Sequence, residues 1–580
     1  MADTRDLKSL AKFLACGFES RSWHHYKADA STMKKIVLVF MSVAMHCAMG
    51  ENLAEKSIPD PYDYKELVTT EQQPKMVREG LWDFGKAAFG WLEFRGLPAG
   101  EYEVVLGEMT NAAGCVANPH PNSSIRCQTL RGRAAAGKFR LPMMPDKLNT
   151  KGYDPKAPAI CLPEKFGIVF PFRYVQIIQA PKMPKSINLV RVMVHYPIDM
   201  TQSHFECDNP VLNEVYEFCK YSILSTSFCG IYVDGDRERT PYEGDAYINQ
   251  LGHYAIENNY SLARRSHEWL MDFPTWPTEW KQHSIKMAWA DWMWSGDARS
   301  IGKYYKALKR KLLGNYPRRD IVDWPRSERD GFVMTESNSV VEAFNCRNLA
   351  EMAVIAAGLS KYDEAKDYEA RAAAAKVEFC RKFINPETRL VRDGEGVEHY
   401  SLHANVAALA FGLVPKEDVA KVVEYIDGKG MACSVYFAQY FLEALCEAGR
   451  FDLAVKYMAA SGDRSWKGMI DFGSTISMEA WNVKVKPNLD LNHAWGAAPI
   501  NIISRYLLGV TPIVAGFSEI SIKPRLGGLK FVKGVVPTAK GPVRIELTEK
   551  TLKVETPATA IIDDGDFVLR LPAGKYSFKR

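Results

Sequence analysis

The feature that most constrains this chain is a change of hydrophobic period along it. From about residue 209 to 508, apolar residues recur at helical spacing in Val211–Ser225, Ala246–Leu270, Ser339–Leu359, Tyr362–Phe383, Ala404–Leu413, Val435–Ala448 and Ala494–Leu508. Segments of this length with short connections are what stacked helix pairs are made from, and the span has room for roughly twelve helices. On either side the period falls to two. Upstream, from about 80 to 200, short runs such as Trp91-Leu92-Glu93-Phe94, Tyr102-Glu103-Val104-Val105-Leu106 and Val190-Arg191-Val192-Met193-Val194 alternate with Gly, Pro and Asn turns. Beyond Val510-Thr511-Pro512 the alternation returns in Val543-Ile545-Leu547 and Phe567-Leu569-Leu571. A chain of 580 residues is too long for one core. The reading is therefore a multidomain α+β protein: an N-terminal β-sandwich over 51–205, an α/α toroid over 206–511 and a small C-terminal β-sandwich over 512–580.

Residues 1–50 stand apart. Met33-Lys34-Lys35 followed by the apolar run Ile36–Met45 has the basic start and short apolar core of a signal peptide, and Ala48 and Gly50 fit a cut before Glu51. On this reading Met33 is the biological start, residues 1–32 lie upstream of it, and the product is secreted or periplasmic with no membrane insertion after cleavage. A buried apolar segment in a cytosolic protein is the alternative.

A net charge of +5, spread without a basic block, does not point to nucleic acid. The 12 Cys include no CxxC pair and no Cys/His cluster at zinc spacing, so neither metal nor cofactor is expected. Cys207, Cys219 and Cys229 read as free buried thiols, with a disulfide among them as the alternative. The 13 Trp and 26 Tyr fit a core, and also a site that stacks on sugar rings.

The densest chemistry lies in Tyr232-Val233-Asp234-Gly235-Asp236-Arg237-Glu238-Arg239-Thr240-Pro241-Tyr242-Glu243-Gly244-Asp245, between two helical segments. Seven of its fourteen residues are charged, yet Tyr, Pro and Gly favour a fixed, partly enclosed loop over a solvated one. Enclosed carboxylates raise one another's pKa, which suits a general acid, although a structural salt-bridge cluster is the competing reading. Glu238, set among Asp234, Asp236, Glu243 and Asp245, is expected to keep its proton to higher pH than Glu479 does. Glu479 lies in Gly473-Ser474-Thr475-Ile476-Ser477-Met478-Glu479-Ala480-Trp481, among small and apolar neighbours, with Trp481 as a possible ring platform. In the following Asn492-His493-Ala494-Trp495-Gly496, His493 reads either as a helix-start residue or as a ligand group. Two carboxylates far apart in sequence are glycosidase equipment. The phosphate loop, the GxSxG elbow and HExxH are all missing.

These residues resemble a known family, the α-L-rhamnosidases of glycoside hydrolase family seventy-eight. The Asp234–Asp245 loop is similar to its first signature, and Gly473 through Glu479-x-Trp481 with Leu491–Gly496 to its second. Pro277-Thr278-Glu279-Trp280 and Val322-Asp323-Trp324-Pro325 look like its sugar-contacting segments. The first loop departs from the commoner form in being one residue shorter and in having Tyr242-Glu243 where Trp is usual. The resemblance implies an (α/α)6 barrel of the six-hairpin type and inverting hydrolysis of a rhamnosyl glycan or glycoside, with Glu238 as acid and Glu479 as base. It further implies sugar contacts from Asp234, Arg237, Tyr242 and Asp245, from Glu279, Trp280, Asp323 and Trp324, and from Trp481 and His493. Another α/α-barrel glycosidase, a polysaccharide lyase or a catalytically silent sugar-binding protein are the alternatives.

Overall fold

The structure is a computed structural model that describes residues 64–580 apart from 135–136, 141–159, 161, 182–187, 276–277, 314–320 and 322. The expected signal segment at Met33–Gly50 lies outside the described residues, as do Pro277 and Val322.

The N-terminal region forms one eight-stranded antiparallel sheet of β1 (Val68–Gln72), β2 (Lys75–Arg78), β3 (Leu81–Leu97), β4 (Gly100–Gly107), β5 (Cys127–Ala134), β6 (Gly137–Arg140), β7 (Phe170–Gln179) and β8 (Asn188–His195), ordered β1-β8-β3-β7-β4-β5 with β2 and β6 also on β3. Its long strand β3 (Leu81–Leu97) pairs with β7 (Phe170–Gln179) and β8 (Asn188–His195), with a register shift between Asp83 and Ala88. The alternation in β4 (Gly100–Gly107) buries Val104 and Leu106 completely. Between β4 and β5 (Cys127–Ala134) the chain makes the excursion 108–126, which reaches the functional site.

The period-3.6 span folds into a helical domain. Its α-helices are α1 (Pro210–Thr226), α2 (Glu243–Tyr254), α3 (Ser261–Asp272), α4 (Glu279–Ser295), α5 (Arg299–Lys309), α6 (Ser339–Gly358) and α7 (Tyr362–Phe383). They continue with α8 (Leu402–Ala410), α9 (Val419–Lys429), α10 (Ala438–Glu447), α11 (Phe451–Met458), α12 (Trp466–Asp471) and α13 (Ala498–Ile502). Helix α1 starts where Pro210 supplies a first-turn residue that needs no partner and Asn209 caps Val211 and Leu212. Helix α2 packs on α4, α4 on α6, α6 on α8, α8 on α10, α10 on α13 and α13 back on α2, which closes a ring. Of the other helices, α7 packs on α6 and α9 on α8.

Two expected helices are divided. Ala246–Leu270 is split into α2 and α3 because the Asn259 side chain accepts from the backbone N–H and hydroxyl of Ser261, restarting the chain there. Ala494–Leu508 is a 3-10 turn, the short α13 and a π turn, with Pro499 at the start of α13. Helix α4 escaped the periodicity because it is buried nearly all round and so has no polar face to mark it.

The C-terminal region holds a four-stranded sheet in the order Val510–Val514, Glu519–Ile522, Thr559–Asp563 and Val568–Leu571, and a five-stranded one in the order Gly574–Lys579, Thr551–Thr556, Val543–Thr548, Phe531–Val536 and His204–Cys207. Strand β9 (His204–Cys207), which precedes the helical domain, pairs with the strand Phe531–Val536, so both ends of that domain are tied to one sheet. Cys207, Cys219 and Cys229 are free thiols. No helix among the described residues is long and apolar enough to cross a membrane.

Candidate functional site

The two signature segments meet at the N-terminal ends of ring helices. The Asp234–Asp245 loop runs into α2, whose first turn holds Glu243 and Asp245. Glu279 opens α4, and His493 precedes the 3-10 turn that leads to α13. The partial positive charge of helix N-termini favours this concentration of carboxylates.

Arg237 joins the two glutamates. Its Nη2 donates to Glu238 Oε1 at 3.2 Å and to Glu479 Oε1 at 2.8 Å, while Nη1 donates to Glu479 Oε2 at 3.1 Å and to the Asn488 carbonyl at 3.0 Å. Because both Oε1 atoms contact one nitrogen, they stand no more than about 6 Å apart, below the about 6.5–9.5 Å of an inverting pair and reaching into the about 5–5.5 Å of a retaining one. The surroundings of the glutamates differ. Glu238, with 20% of its side chain exposed, accepts from the Tyr242 hydroxyl at 2.6 Å. Glu479, 5% exposed, also faces Lys486 Nζ at 2.9 Å and accepts from the Asp490 N–H at 3.3 Å.

A buried charged layer lies behind them. His493 contacts Asp245 Oδ1 through Nε2 at 3.1 Å and Asp490 Oδ1 through Nδ1 at 3.2 Å. Burial pushes the imidazole pKa down, but Asp490 and Asp245 together lift it well above the ordinary value. Asp490 is held at about 2 despite burial, because His493, Arg237 and Lys486 favour its charge. Asp234 is raised well above the usual carboxylate range, first by burial and then by the charge of Glu238. Burial likewise raises Asp245.

The loop holding Glu238 is constrained at both ends. Asp234 Oδ1 accepts from the Thr240 N–H at 3.0 Å, and the Asp234 N–H donates to the Thr240 carbonyl at 3.0 Å. Between them Arg239 takes φ 50°, a left-handed conformation that costs a non-glycine residue roughly 1–2 kcal/mol. The glycines of the signature are set by close approach. A Cβ on Gly235 would lie 2.7 Å from Asp490 Oδ2, and one on Gly244 would lie 2.7 Å from the Trp280 ring.

The expectation that four acidic neighbours crowd Glu238 is corrected. Asp236 is fully buried between Arg126 Nε at 2.5 Å and Arg239 Nη2 at 2.6 Å, so its charge is compensated. Glu243 turns away, accepting from the Thr275 N–H at 3.0 Å and from the Thr275 hydroxyl. Asp234 and Asp245 remain on the site side.

The aromatic expectations divide in the same way. Trp280 packs edge-on against Tyr242, Tyr436 and Trp495, with centroids 5.9, 5.3 and 6.3 Å away. Trp324 is the exposed ring, at 47%. Trp481 is not a platform: it is 1% exposed, stands edge-to-face with Trp466 and donates its indole N–H to the Cys433 carbonyl at 2.7 Å. Asp323 has no exposed surface, and its carboxylate is taken by His403 at 2.5 Å and by Ser434, so it anchors the Trp324 segment rather than facing a ligand. Glu279 is buried at the start of α4, where its charge reaches Tyr436.

Sequence reasoning missed Lys486 and Asp490, although both sit between the two quoted pieces of the second signature. It also missed Glu108 and Arg126, which the N-terminal sheet delivers and which no local pattern marks. Glu479, Asp490 and His493 place one possible ligand atom each within 4.8 Å of one another, but Arg237 and Lys486 already neutralise the carboxylates there.

Comparison with known proteins gives the family. The family described as the bacterial alpha-L-rhamnosidase 6 hairpin glycosidase domain matches residues 200–507. An alpha-L-rhamnosidase of Alteromonas sp. (strain LOR) is 24% identical over 437 residues, covering 65% of this chain and 46% of that protein. The chain thus spans about half the length of the curated relatives it matches. The Streptomyces avermitilis alpha-L-rhamnosidase complexed with L-rhamnose superposes with a TM-score of 0.72 at 16% identity, over 88% of this chain and 53% of that one. The alpha-L-rhamnosidase from Dictyoglumus thermophilum gives 0.69 at 19% identity, over 89% and 64%. With the family model spanning more than half of its residues, the chain belongs to the bacterial α-L-rhamnosidase family of six-hairpin glycosidases.

Proposed function

We propose that this protein is an inverting glycoside hydrolase that releases terminal α-L-rhamnose from oligosaccharides, polysaccharides or glycosides. The observation that carries the hydrolase reading is the pair Glu238 and Glu479, bridged by Arg237, in a chain of this family; inversion is what the family resemblance implies, and it requires the pair to open to about 6.5 Å or more when substrate enters. Glu238, the more accessible, protonates the leaving oxygen, and Glu479, facing two cations, takes the proton of the attacking water. Asp234, Arg237, Tyr242 and Asp245 bind sugar hydroxyls, His493 holds Asp245 in place through Nε2 rather than meeting the sugar as expected, and Trp280 and Trp324 contact the ring. Neither step calls for a metal or cofactor.

The closed ring of α2, α4, α6, α8, α10 and α13 supports an (α/α)6 barrel over 206–511. The two C-terminal sheets support a β-sandwich over the expected 512–580, extended by β9 (His204–Cys207) and by a first strand from Val510, whereas the described N-terminal residues form one sheet where two layers were expected over 51–205. Export follows from the signal-like Met33–Gly50, and N-terminal sequencing of protein from a secreting host tests it, with Glu51 expected first. Activity is tested by proton NMR of the sugar first formed from an aryl α-L-rhamnoside. Inversion gives the β-anomer before mutarotation. The α-anomer would overturn the mechanism, and an unsaturated, ultraviolet-absorbing product would mark a lyase instead.

A further inference from the structure

The excursion 108–126 leaves the N-terminal sheet and lies against both signature segments. Arg126 Nε meets Asp236 Oδ2 at 2.5 Å and Arg126 Nη2 donates to the Asp236 carbonyl at 3.4 Å, so this residue holds the side chain and backbone of the loop two positions before Glu238. The Asp236 N–H donates to Asn492 Oδ1 at 2.8 Å, and Asn492 Nδ2 donates to Glu108 Oε1 at 3.0 Å. Glu108 Oε2 accepts from the Arg126 N–H at 2.8 Å, which closes a circuit through the excursion, the acid loop and the second signature. Ser124 adds two ties, its N–H donating to the Leu489 carbonyl at 2.8 Å and its hydroxyl to the Asn488 carbonyl at 3.1 Å. Asn488 is the residue whose carbonyl receives Arg237.

We propose that Arg126 is a positioning residue for Glu238, and that the N-terminal sheet is a working part of the catalytic centre rather than an appendage to it. The proposal rests on the rhamnosidase reading above. Asp236 is shared between Arg126 and Arg239, and Arg239 in turn donates to the Val169 carbonyl at 3.1 Å, so the acid loop is gripped on both sides by the N-terminal region. Arg126 reaches no reacting atom; it acts by fixing where Glu238 stands. Its fork-shaped guanidinium spans the carboxylate and the carbonyl together, which a lysine ammonium cannot do.

The test compares the full-length wild type, Arg126→Ala and Arg126→Lys on 4-nitrophenyl α-L-rhamnoside and on an alkyl α-L-rhamnoside, whose poor leaving group depends on protonation. Arg131→Ala serves as the control, since Arg131 sits on β5 in an exposed ion pair with Glu103. Misplacing an acid by about 1 Å costs about 10²-fold. Arg126→Ala should therefore lose about that factor in kcat on the alkyl substrate, far less on the nitrophenyl substrate, and change KM little on either. Arg126→Lys should fall between Arg126→Ala and the wild type, and Arg131→Ala should match the wild type. Equal losses on the two substrates, a change confined to KM, or unchanged kcat would overturn the positioning role. If Arg126→Ala does not fold, the leaving-group dependence of Arg126→Lys decides the matter. A wild type inactive on both substrates would overturn the functional reading instead. The positioning role would then stand or fall on the crystal structure of Arg126→Lys, in which residues 236–239 must shift.

Discussion

Replacing Gly235 by alanine probes how closely the two signature segments are pressed together. The new Cβ would sit 2.7 Å from Asp490 Oδ2, 3.1 Å from the Asn492 carbonyl oxygen and 3.1 Å from His493 Nδ1. Ordinary contact begins at 3.4 Å, so about 0.7 Å of room must be found. Asp490 cannot supply it by rotating, because it is 1% exposed and its Oδ1 is engaged by His493. Its backbone N–H also donates to Glu479 Oε2, and its carbonyl accepts from the Glu479 N–H. The displacement therefore passes to Glu479 on one side or to the Glu238 loop on the other. Overpacking of this kind costs about 1–3 kcal/mol, and a shift approaching 1 Å in a reacting group costs up to about 10²-fold in rate. The assay is kcat on an aryl α-L-rhamnoside together with the thermal midpoint. Gly428→Ala is the companion variant, because Gly428 lies within α9 with nothing within 4 Å of its Cβ position, and alanine there should stabilise by about 0.5–1 kcal/mol. A Gly235→Ala protein with wild-type kcat would refute the close approach on which the site rests.

The compensated charge of Asp236 gives a second expectation. Asp236→Asn leaves Arg126 and Arg239 without their shared carboxylate, so it should cost about 3–5 kcal/mol in denaturant unfolding; a variant as stable as the wild type would contradict the geometry. Glu108 is pushed up to about 8, chiefly by burial, with Asp236 and Asp490 adding to the shift and hydrogen bonds from Arg126 and Asn492 opposing it. Its folded pKa lies above its unfolded one, so the stability it contributes is full in acid and is lost as the pH rises towards about 8. The thermal midpoint of Glu108→Gln should consequently gain on the wild type between about pH 5 and about pH 8, and parallel curves would refute this. Asp490, held at about 2, works in the opposite sense: its contribution is present above the ordinary Asp pKa and is lost as the pH falls towards 2, so Asp490→Asn should flatten the acid side of the stability curve.

The helical domain was legible because most of its helices bury one face, which leaves a 3.6-residue period in the sequence. Tyr362–Phe383 matches α7 residue for residue. Helix α4 was not legible for the converse reason, being buried on nearly every side. Within the site, the sequence motifs pointed to Glu238 and Glu479, and the structure brings both to Arg237. It could not show which way side chains turn. Asp236 and Glu243 look like neighbours of Glu238 in a linear reading, yet the turn at Arg239 and the start of α2 direct them to Arg126 and Thr275. Trp481 followed a catalytic-looking glutamate but faces the interior, because its indole N–H is taken by the Cys433 carbonyl. Glu108 and Arg126 come from between two strands of the N-terminal sheet, more than a hundred residues away in the chain, a juxtaposition that only the fold produces.

The central claim is the division of labour between Glu238 and Glu479, and the most direct measurement is kcat/KM of Glu238→Gln and Glu479→Gln on two α-L-rhamnosides that differ only in leaving group. Removing a general acid or base costs typically about 10²–10⁴-fold, but an acid matters less when the aglycone departs unaided. Glu238→Gln should lose that factor on the natural-type glycoside and retain far more activity on the nitrophenyl one, while Glu479→Gln should lose it on both. Equal loss on both substrates for Glu238→Gln, or substantial activity in Glu479→Gln, would contradict the assignment.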